Sequence, residues 1–567
     1  MATDFKVKGE NAGAPFTLTI YRGEGMALAA MNWKTPTPPQ DFVGFAIEYR
    51  KPGATRFSAA RSTKNFPGGP PNEKSTKAPF QRFRWVIFPY ENFTEGEYTF
   101  RVTPMFMDTH GALSSGDPQE AKLELLRETY PGKLNVTFTR GFVLSQAFVR
   151  KYESSGPVET LIAGADDDPL TFTPTHPEAK EALPWMGFEA RRAIHEVLDL
   201  AIGDPEAEVS VVAFDLNEPF IVDRLKQLGA RLRIIIDDST QTNSKTHVVS
   251  GHGVPDSPES RVAAMLPHAE RQHLGGLQHN KTIVVQSPTA ENNIVLCGST
   301  NFTWRGLFVQ NNNAVVLHGE PVAAQFRAAF DSYWDHPTTF RQSPSAELTP
   351  LGLDGIDGSI AFSPHSTANG RLKAIAADIK KANSSVLYSL AFLFQTEGVL
   401  RDAIQEVMNR DDVLVYGVSD MPVGGLHVLD PHGNPVPVAP ASLAAGLPPP
   451  FSEEPKRTNV GNYMHHKFVV IDFDTPEARV YLGSYNFSLA ADNANGENLL
   501  LFKDGRIATA YAIEALRIYD HYAFRASPEA MAAGAQPLRR PPGPGEVAWW
   551  DRYYTDEPAK RDRLKFA

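Results

Sequence analysis

One short pattern occurs twice in this chain, and its second occurrence restricts the fold more than any other feature. The first copy reads QHNKTIVV and then CGSTNF, with His279, Lys281, Ser299 and Asn301; the second reads MHHKFVVID and then LGSYNF, with His465, Lys467, Asp472, Ser484 and Asn486. A chain with this much histidine and lysine should hold roughly one His-x-Lys by chance. Here each of the two leads into Gly-Ser-x-Asn-Phe. Gly298 and Gly483, Asn301 and Asn486, and Asn313 and Asn498 all stand 185 positions apart. So long a period points to a duplicated domain, because solenoid units recur about every 20 to 50 residues.

The flanking segments repeat as well. From about residue 183, apolar residues at helical spacing in FEARRAIHEVLDLAI precede a strand-like VSVVAFDL, a helix-like IVDRLKQLG and a strand-like RLRIIID. The second half runs through LKAIAADIKKA, SVLYSLAFLF, VLRDAIQEVMN and VLVYGVSD in the same order. Such alternation implies an α/β layer structure. Roughly the first 130 residues are instead β-rich, with FTLTIYRGEGMALAAMNW, FVGFAIEYRKPG, FRWVIFPY and EGEYTFRVTPMF separated by turn residues. The strands carrying Trp33, Tyr49 and Tyr98-x-Phe100-x-Val102 resemble a fibronectin type III domain, which implies a small antiparallel sandwich and a surface for a protein partner.

Composition narrows the class. With 567 residues, 42% hydrophobic and 21% charged, the chain has ample core and no disordered character. No run approaches the roughly 20 apolar residues of a membrane span. The start, MATDFKVKGENAGAPF, carries no visible secretory signal, so the expected location is cytoplasmic, or outside by a route needing no N-terminal signal. The one cysteine, Cys297, has no disulfide partner and is expected to be buried and inert. A net charge of -11 supplies no overall pull toward nucleic acid, while leaving room for a local basic groove.

Two segments stand apart from the α/β pattern. The Pro/Gly-rich insert 421–463 suits a loop, either a lid or a spacer, and Gly251 to Gly276 is its shorter counterpart in the first copy. The tail 531–567 carries Trp549, Trp550, Tyr553 and Tyr554, expected to pin the terminus onto its own domain; a membrane interface or base stacking is the alternative.

Both copies of the motif read as strands, so residues two apart share a face and each strand presents an imidazole beside an ammonium. Two copies packed about a pseudo-twofold axis would gather two His, two Lys, two Ser and two Asn. Ammoniums and neutral donors of this kind can hold the nonbridging oxygens of a phosphodiester as charge shifts in the transition state. One histidine can attack phosphorus while the other protonates the leaving oxygen.

At these residues the chain resembles the phospholipase D superfamily, whose signature is His-x-Lys-x4-Asp with a downstream Gly-Ser-x-Asn, given twice in one polypeptide. The resemblance covers roughly residues 183 to 525. It implies a duplicated phospholipase D-like α-β-α sandwich with pseudo-twofold symmetry, preceded by the all-β sandwich: residues 1–130, then repeats at 131–350 and 351–530, then the tail. It also implies a phosphodiesterase working through a covalent phosphohistidine, with a phospholipid as the favoured substrate, a nucleic acid as the alternative and a decayed binding protein as the third reading. Histidine, lysine and the late acid are the family's catalytic groups, and Ser299, Asn301, Ser484 and Asn486 would hold the phosphate.

The second copy matches in full, with Asp472 in the motif and Glu497 as the late acid. In the first copy, Gln286 stands in the motif Asp position and Asn312 opposite Glu497. A carboxylate beside an imidazole favours its protonated form and an amide does not. Pairing within each copy would therefore make His279, beside Asn312, the neutral nucleophile and His465, beside Glu497, the protonated acid. No required metal or cofactor is expected, since His465 and His466 face opposite ways and no cysteine or Asp cluster accompanies them. His252, His268 and His273 are expected to be ordinary loop residues, with lining the pocket as the alternative.

Overall fold

The computed structural model describes residues 5–70, 72–88, 93–391, 393, 398–419, 428–429, 435–436, 448–453, 463–526 and 537–567. The chain divides into two compact units, one of Met1–Arg127, Leu429–Val436 and Thr509–Ala567, the other of Glu128–Val428 and Pro437–Ala508.

In the first unit, strands with apolar residues at every second position build two antiparallel sheets. One contains Lys6–Lys8, Phe16–Gly23, Met26–Trp33 and Arg84–Ile87; the other centres on Gly96–Met107, which pairs with Phe42–Arg50, Leu113–Ser115 and Gln119–Leu125. Phe16, Leu18 and Ile20 of the first sheet and Phe45, Ile47, Phe100 and Val102 of the second share one core. The terminal aromatics join it. Trp549, Trp550 and Tyr553 are buried there, and the Trp549 indole donates to the Phe42 carbonyl at 2.9 Å. Burial of these rings explains the aromatic tail as an anchor for the terminus.

The second unit carries two seven-stranded sheets. Across the first run Leu134–Phe138, Asn313–His318, Ile294–Gly298, Lys281–Gln286, Glu208–Ala213, Leu232–Ile236 and Ala269–Arg271. Across the second run Thr349–Pro350, Gly358–Ser363, Glu497–Phe502, Arg479–Gly483, Lys467–Ile471, Ser385–Leu390 and Leu414–Val418. Six strands of each sheet follow the same order with the same directions, including one parallel pair, Glu208–Ala213 with Leu232–Ile236 and Ser385–Leu390 with Leu414–Val418. The central strands are buried at nearly every residue, as strands covered on both faces must be. Cys297 lies fully buried in one of them, and burial pushes its thiol well above the ordinary range.

The helices Ala179–Gly203, Pro219–Leu228, Leu372–Lys380 and Val399–Met408 follow the expected spacing, and Glu320–Asp335 and Gly505–Ala526 are further helices. Pro184 and the non-helical Phe188 (φ 48°) kink the longest of these. Part of the first-copy insert is not loop, because Ala269–Arg271 adds an edge strand to the first sheet. Most of the insert 421–463 lies outside the described residues. Among the described residues no helix is long and apolar enough to cross a membrane.

Candidate functional site

The Gly-Ser-x-Asn turns build the floor of the site. Gly298 (φ 139°) and Gly483 (φ 134°) must be glycine in both halves, because a Cβ there would meet the carbonyl oxygen of Asn313 at 2.6 Å and of Asn498 at 2.2 Å. The close approach lets the next residue be caught in the same way twice. The Ser299 hydroxyl accepts the Asn313 N–H and the Ser484 hydroxyl accepts the Asn498 N–H, each at 3.0 Å.

The histidines do not sit within regular strands. The strands begin at Lys281 and Lys467, and His279 and His465 stand just ahead of them. There the two sheets exchange backbone pairs: Gln278 bridges Gly496, and Met464 bridges Asn311. Each histidine is thereby set beside the late residue of the other copy. His279 Nδ1 lies 2.7 Å from Glu497 Oε2, and His465 Nδ1 lies 2.9 Å from Asn312 Oδ1 and 3.2 Å from the Ser299 carbonyl. This corrects the expected pairing within each copy. Glu497 serves His279 and Asn312 serves His465, because the bridge preceding each histidine is made to the opposite sheet.

Since all the facing atoms are acceptors, both Nδ1 atoms carry hydrogen and chemistry falls to Nε2. The rings are 6.5 Å apart between centroids. Asn312 is tied down on both sides: its Oδ1 accepts from the Ser299 hydroxyl at 2.9 Å and its Nδ2 donates to the Gly306 carbonyl at 2.9 Å. That second bond accounts for an amide at this position, because a carboxylate would face the carbonyl with no proton to offer.

Each ammonium folds back on its histidine. Lys281 Nζ donates to the His279 carbonyl and Lys467 Nζ to the His465 carbonyl at 2.8 Å. Lys281 also lies 4.6 Å from the centre of the Phe214 ring. His279, His465, Lys281 and Lys467 are each at most 3% exposed. Burial dominates the protonation of the two histidines and of Lys281. It pushes His279 down to about 4, against the pull of Glu497, and Lys281 down to about 7. His465 is held well below its ordinary value by burial and then by Lys467 and Lys281. Both imidazoles are neutral at neutral pH.

The other expected residues divide. Asn301 Nδ2 donates to Asp215 Oδ2 at 2.5 Å and its Oδ1 is buried without a hydrogen-bond partner among the described residues, as is Asn486 Oδ1. Asp472 and Gln286 are not brought to the histidines. The Asp472 carboxylate instead accepts the backbone N–H groups of Asn383, Ser384 and Ser385 where the strand Ser385–Leu390 begins, and Gln286 Oε1 accepts from Arg327 at 3.4 Å. His466 is buried between Phe138 and Phe468. His273 pairs with Asp238 at the surface.

His252 is the residue that sequence reasoning undervalued. Its two ring nitrogens contact Asp215 Oδ1 at 2.6 Å and Asp237 Oδ2 at 2.8 Å. Burial alone would lower its pKa, but these carboxylates carry it up to about 10, while Asp215, which burial alone would raise, is held at about 2 chiefly by His252. Asp215, His252 and Glu259 also offer three potential metal-donor atoms within 4.8 Å of one another. With both imidazole nitrogens already engaged by carboxylates, the group is arranged as a charge clamp. The flanking glycines of Gly251-His252-Gly253 were the available sequence signal.

Residues 201–334 match the family model described as cardiolipin synthase, PLD-like domain, so the chain contains a PLD-like domain. No curated protein matches the chain. Among solved structures, it is similar to phosphatidylserine synthase of Haemophilus influenzae Rd KW20, at 14% identity over 59% of this chain and 85% of that one, with a TM-score of 0.39. It is also similar to Nuc, a phospholipase D family member of Salmonella typhimurium, at 21% identity over 26% of this chain and 87% of that one, with a TM-score of 0.19. Polyphosphate kinase of Porphyromonas gingivalis matches at 11% identity over 68% of this chain and 55% of that one, with a TM-score of 0.37.

Proposed function

We propose that the PLD-like domain is half of a duplicated phosphodiesterase that works through a covalent phosphohistidine, with a phospholipid as substrate. The observation that carries this is the crossed pair: two imidazoles 6.5 Å apart, each oriented at Nδ1 by the other half of the fold and flanked by a buried lysine. Six strands in the same order in each sheet support two copies, placed at 131–350 and 351–530; the antiparallel sheets of the first unit are read as a fibronectin type III-like module over 1–130, offering a surface to a protein partner.

Burial keeps the His279 ring neutral despite the adjacent Glu497, which leaves it free to act as the nucleophile, and Glu497 then stabilises the positive charge that attack places on the ring. The Nε2 lone pair forms a bond to phosphorus, the bond from phosphorus to the leaving oxygen breaks, and the proton on His465 Nε2 goes to that oxygen. His465 is neutral in the empty site, and the anionic diester, seated between Lys281 and Lys467, offsets the positive charges that hold its pKa down. Water or a second alcohol then attacks phosphorus, gives its proton to His465, and the phosphorus–nitrogen bond returns its electrons to His279.

The phospholipid assignment draws on the cardiolipin synthase family model together with the net charge of -11. The test offers purified protein in EDTA labelled phosphatidylcholine vesicles and single- and double-stranded DNA, and traps the adduct. Phosphatidate release with label on His279, lost in His279→Ala and His465→Ala, is expected. Cleavage of DNA alone makes the protein a nuclease, and label on His465 reverses the roles. Turnover of neither substrate leaves a binding protein.

A further inference from the structure

His252 belongs to no repeated pattern, yet its backbone is placed with care. A Cβ at Gly251 would meet the Ser239 carbonyl oxygen at 2.5 Å and one at Gly253 the Asp238 carbonyl oxygen at 2.2 Å, so two glycines are what let the segment close on residues 238–239. Its carbonyl accepts from the Ser257 hydroxyl at 2.5 Å and the Arg271 guanidinium at 2.7 Å. The ring lies between Asp215 Oδ1 at 2.6 Å and Asp237 Oδ2 at 2.8 Å. A ring nitrogen this near a carboxylate oxygen donates to it, so both nitrogens carry protons and the ring is an imidazolium.

Each carboxylate reaches the phosphodiester site with its other oxygen. Asp215 Oδ2 accepts from the Asn301 side chain at 2.5 Å, and Asp237 Oδ1 accepts the backbone N–H of Gln278, the residue before His279, at 2.7 Å. The Phe214 ring packs 4.5 Å from the His252 ring and 4.6 Å from the His279 ring. We propose that His252 is a positioning residue of the phosphodiester site, its imidazolium clamping Asp215 and Asp237 so that Asn301 and the backbone under His279 are held in register for the phosphate. The proposal rests on the function given above. Without this cation, Asp215 loses its principal counter-charge, draws more heavily on Lys281, and competes with the substrate for that ammonium.

The test compares wild type, His252→Gln, His252→Lys and His252→Gln/Asp215→Asn for turnover of bis(p-nitrophenyl) phosphate and, separately, for vanadate affinity by calorimetry. In His252→Gln, KM should rise and vanadate affinity fall by about ten- to a hundredfold, the scale of a small misplacement of a binding group, with kcat falling less. The double variant, free of the competing carboxylate, should regain most of that affinity. His252→Lys keeps a cation in the clamp and should stay within about tenfold of wild type, and it decides the matter should His252→Gln fail to fold. Unchanged KM and vanadate affinity in His252→Gln, no recovery in the double variant, or a loss in His252→Lys as large as in His252→Gln would overturn the proposal. Vanadate binding needs no turnover. A wild type that binds vanadate but cleaves no diester therefore refutes the phosphodiesterase function, while the vanadate comparison still decides the role of His252.

Discussion

Replacing Glu497 with glutamine isolates what one buried charge contributes to the reaction. The carboxylate is fully buried, with Oε2 at 2.7 Å from His279 Nδ1 and Oε1 accepting from Asn495 Nδ2 at 3.2 Å. Glutamine retains an acceptor for the Nδ1 hydrogen, so the ring keeps its orientation; the charge is lost, together with the bond from Asn495 Nδ2, which would face the new amide nitrogen. Attack on phosphorus turns a neutral imidazole into a cation. With charge centres about 4 Å apart and an effective dielectric of about 20, the carboxylate stabilises that cation by about 4 kcal/mol. At about 1.4 kcal/mol per decade, adduct formation should slow about a thousandfold. Rapid-quench kinetics on bis(p-nitrophenyl) phosphate resolve the step as the nitrophenolate burst, and KM should stay within a few-fold, since the ground-state ring is uncharged. A burst within tenfold of wild type, in a variant that melts normally, would refute the argument that Glu497 acts through charge on His279.

Three further outcomes follow from particular contacts. Asn312→Asp leaves the Gly306 carbonyl without its donor and should destabilise the fold by about 1–3 kcal/mol in thermal melts; the new carboxylate beside His465 raises that ring's pKa, so the alkaline limb of the pH–rate profile should move upward. Trp549→Ala removes a buried indole and its bond to the Phe42 carbonyl, and should lower the stability of the first unit by about 3–5 kcal/mol in denaturant titrations. The His279 pKa is lowered to about 4 in the folded state, whereas the unfolded chain takes up that proton near about 6.5. Between those values the unfolded state binds more protons, so acid removes stability at about 1.4 kcal/mol per pH unit for this group. Urea titrations should show the margin of wild type over His279→Gln shrinking as pH falls through that window, and a margin constant with pH would contradict a neutral buried ring.

Much of the fold was legible because it depends on local pattern. Apolar spacing identified the helices Ala179–Gly203 and Pro219–Leu228 and the strands Glu208–Ala213 and Leu232–Ile236, since burying one face or both imposes a period that the residues themselves carry. The regular repeat likewise marked Gly298 and Gly483, where the backbone of the neighbouring strand leaves no room for a Cβ. Less was legible at the insert before the first motif. Ala269–Arg271 became an edge strand with little local signal, because three residues pair with a sheet edge whose position the segment does not encode.

The amino-acid sequence by itself determined which side chains are available for chemistry: two His-x-Lys pairs, two Gly-Ser-x-Asn turns, and one acid where symmetry would call for two. Only the tertiary structure decided how they are shared. Glu497 serves a histidine 218 positions away and Asn312 one 153 positions away, because the backbone bridges at Gln278 and Met464 cross between the sheets. His252 reaches Asp215 and Asp237 by side-chain contacts made within the first half of the fold. Hydrogen bonds between distant segments leave no periodicity in the chain, and they set which imidazole stands beside the charge.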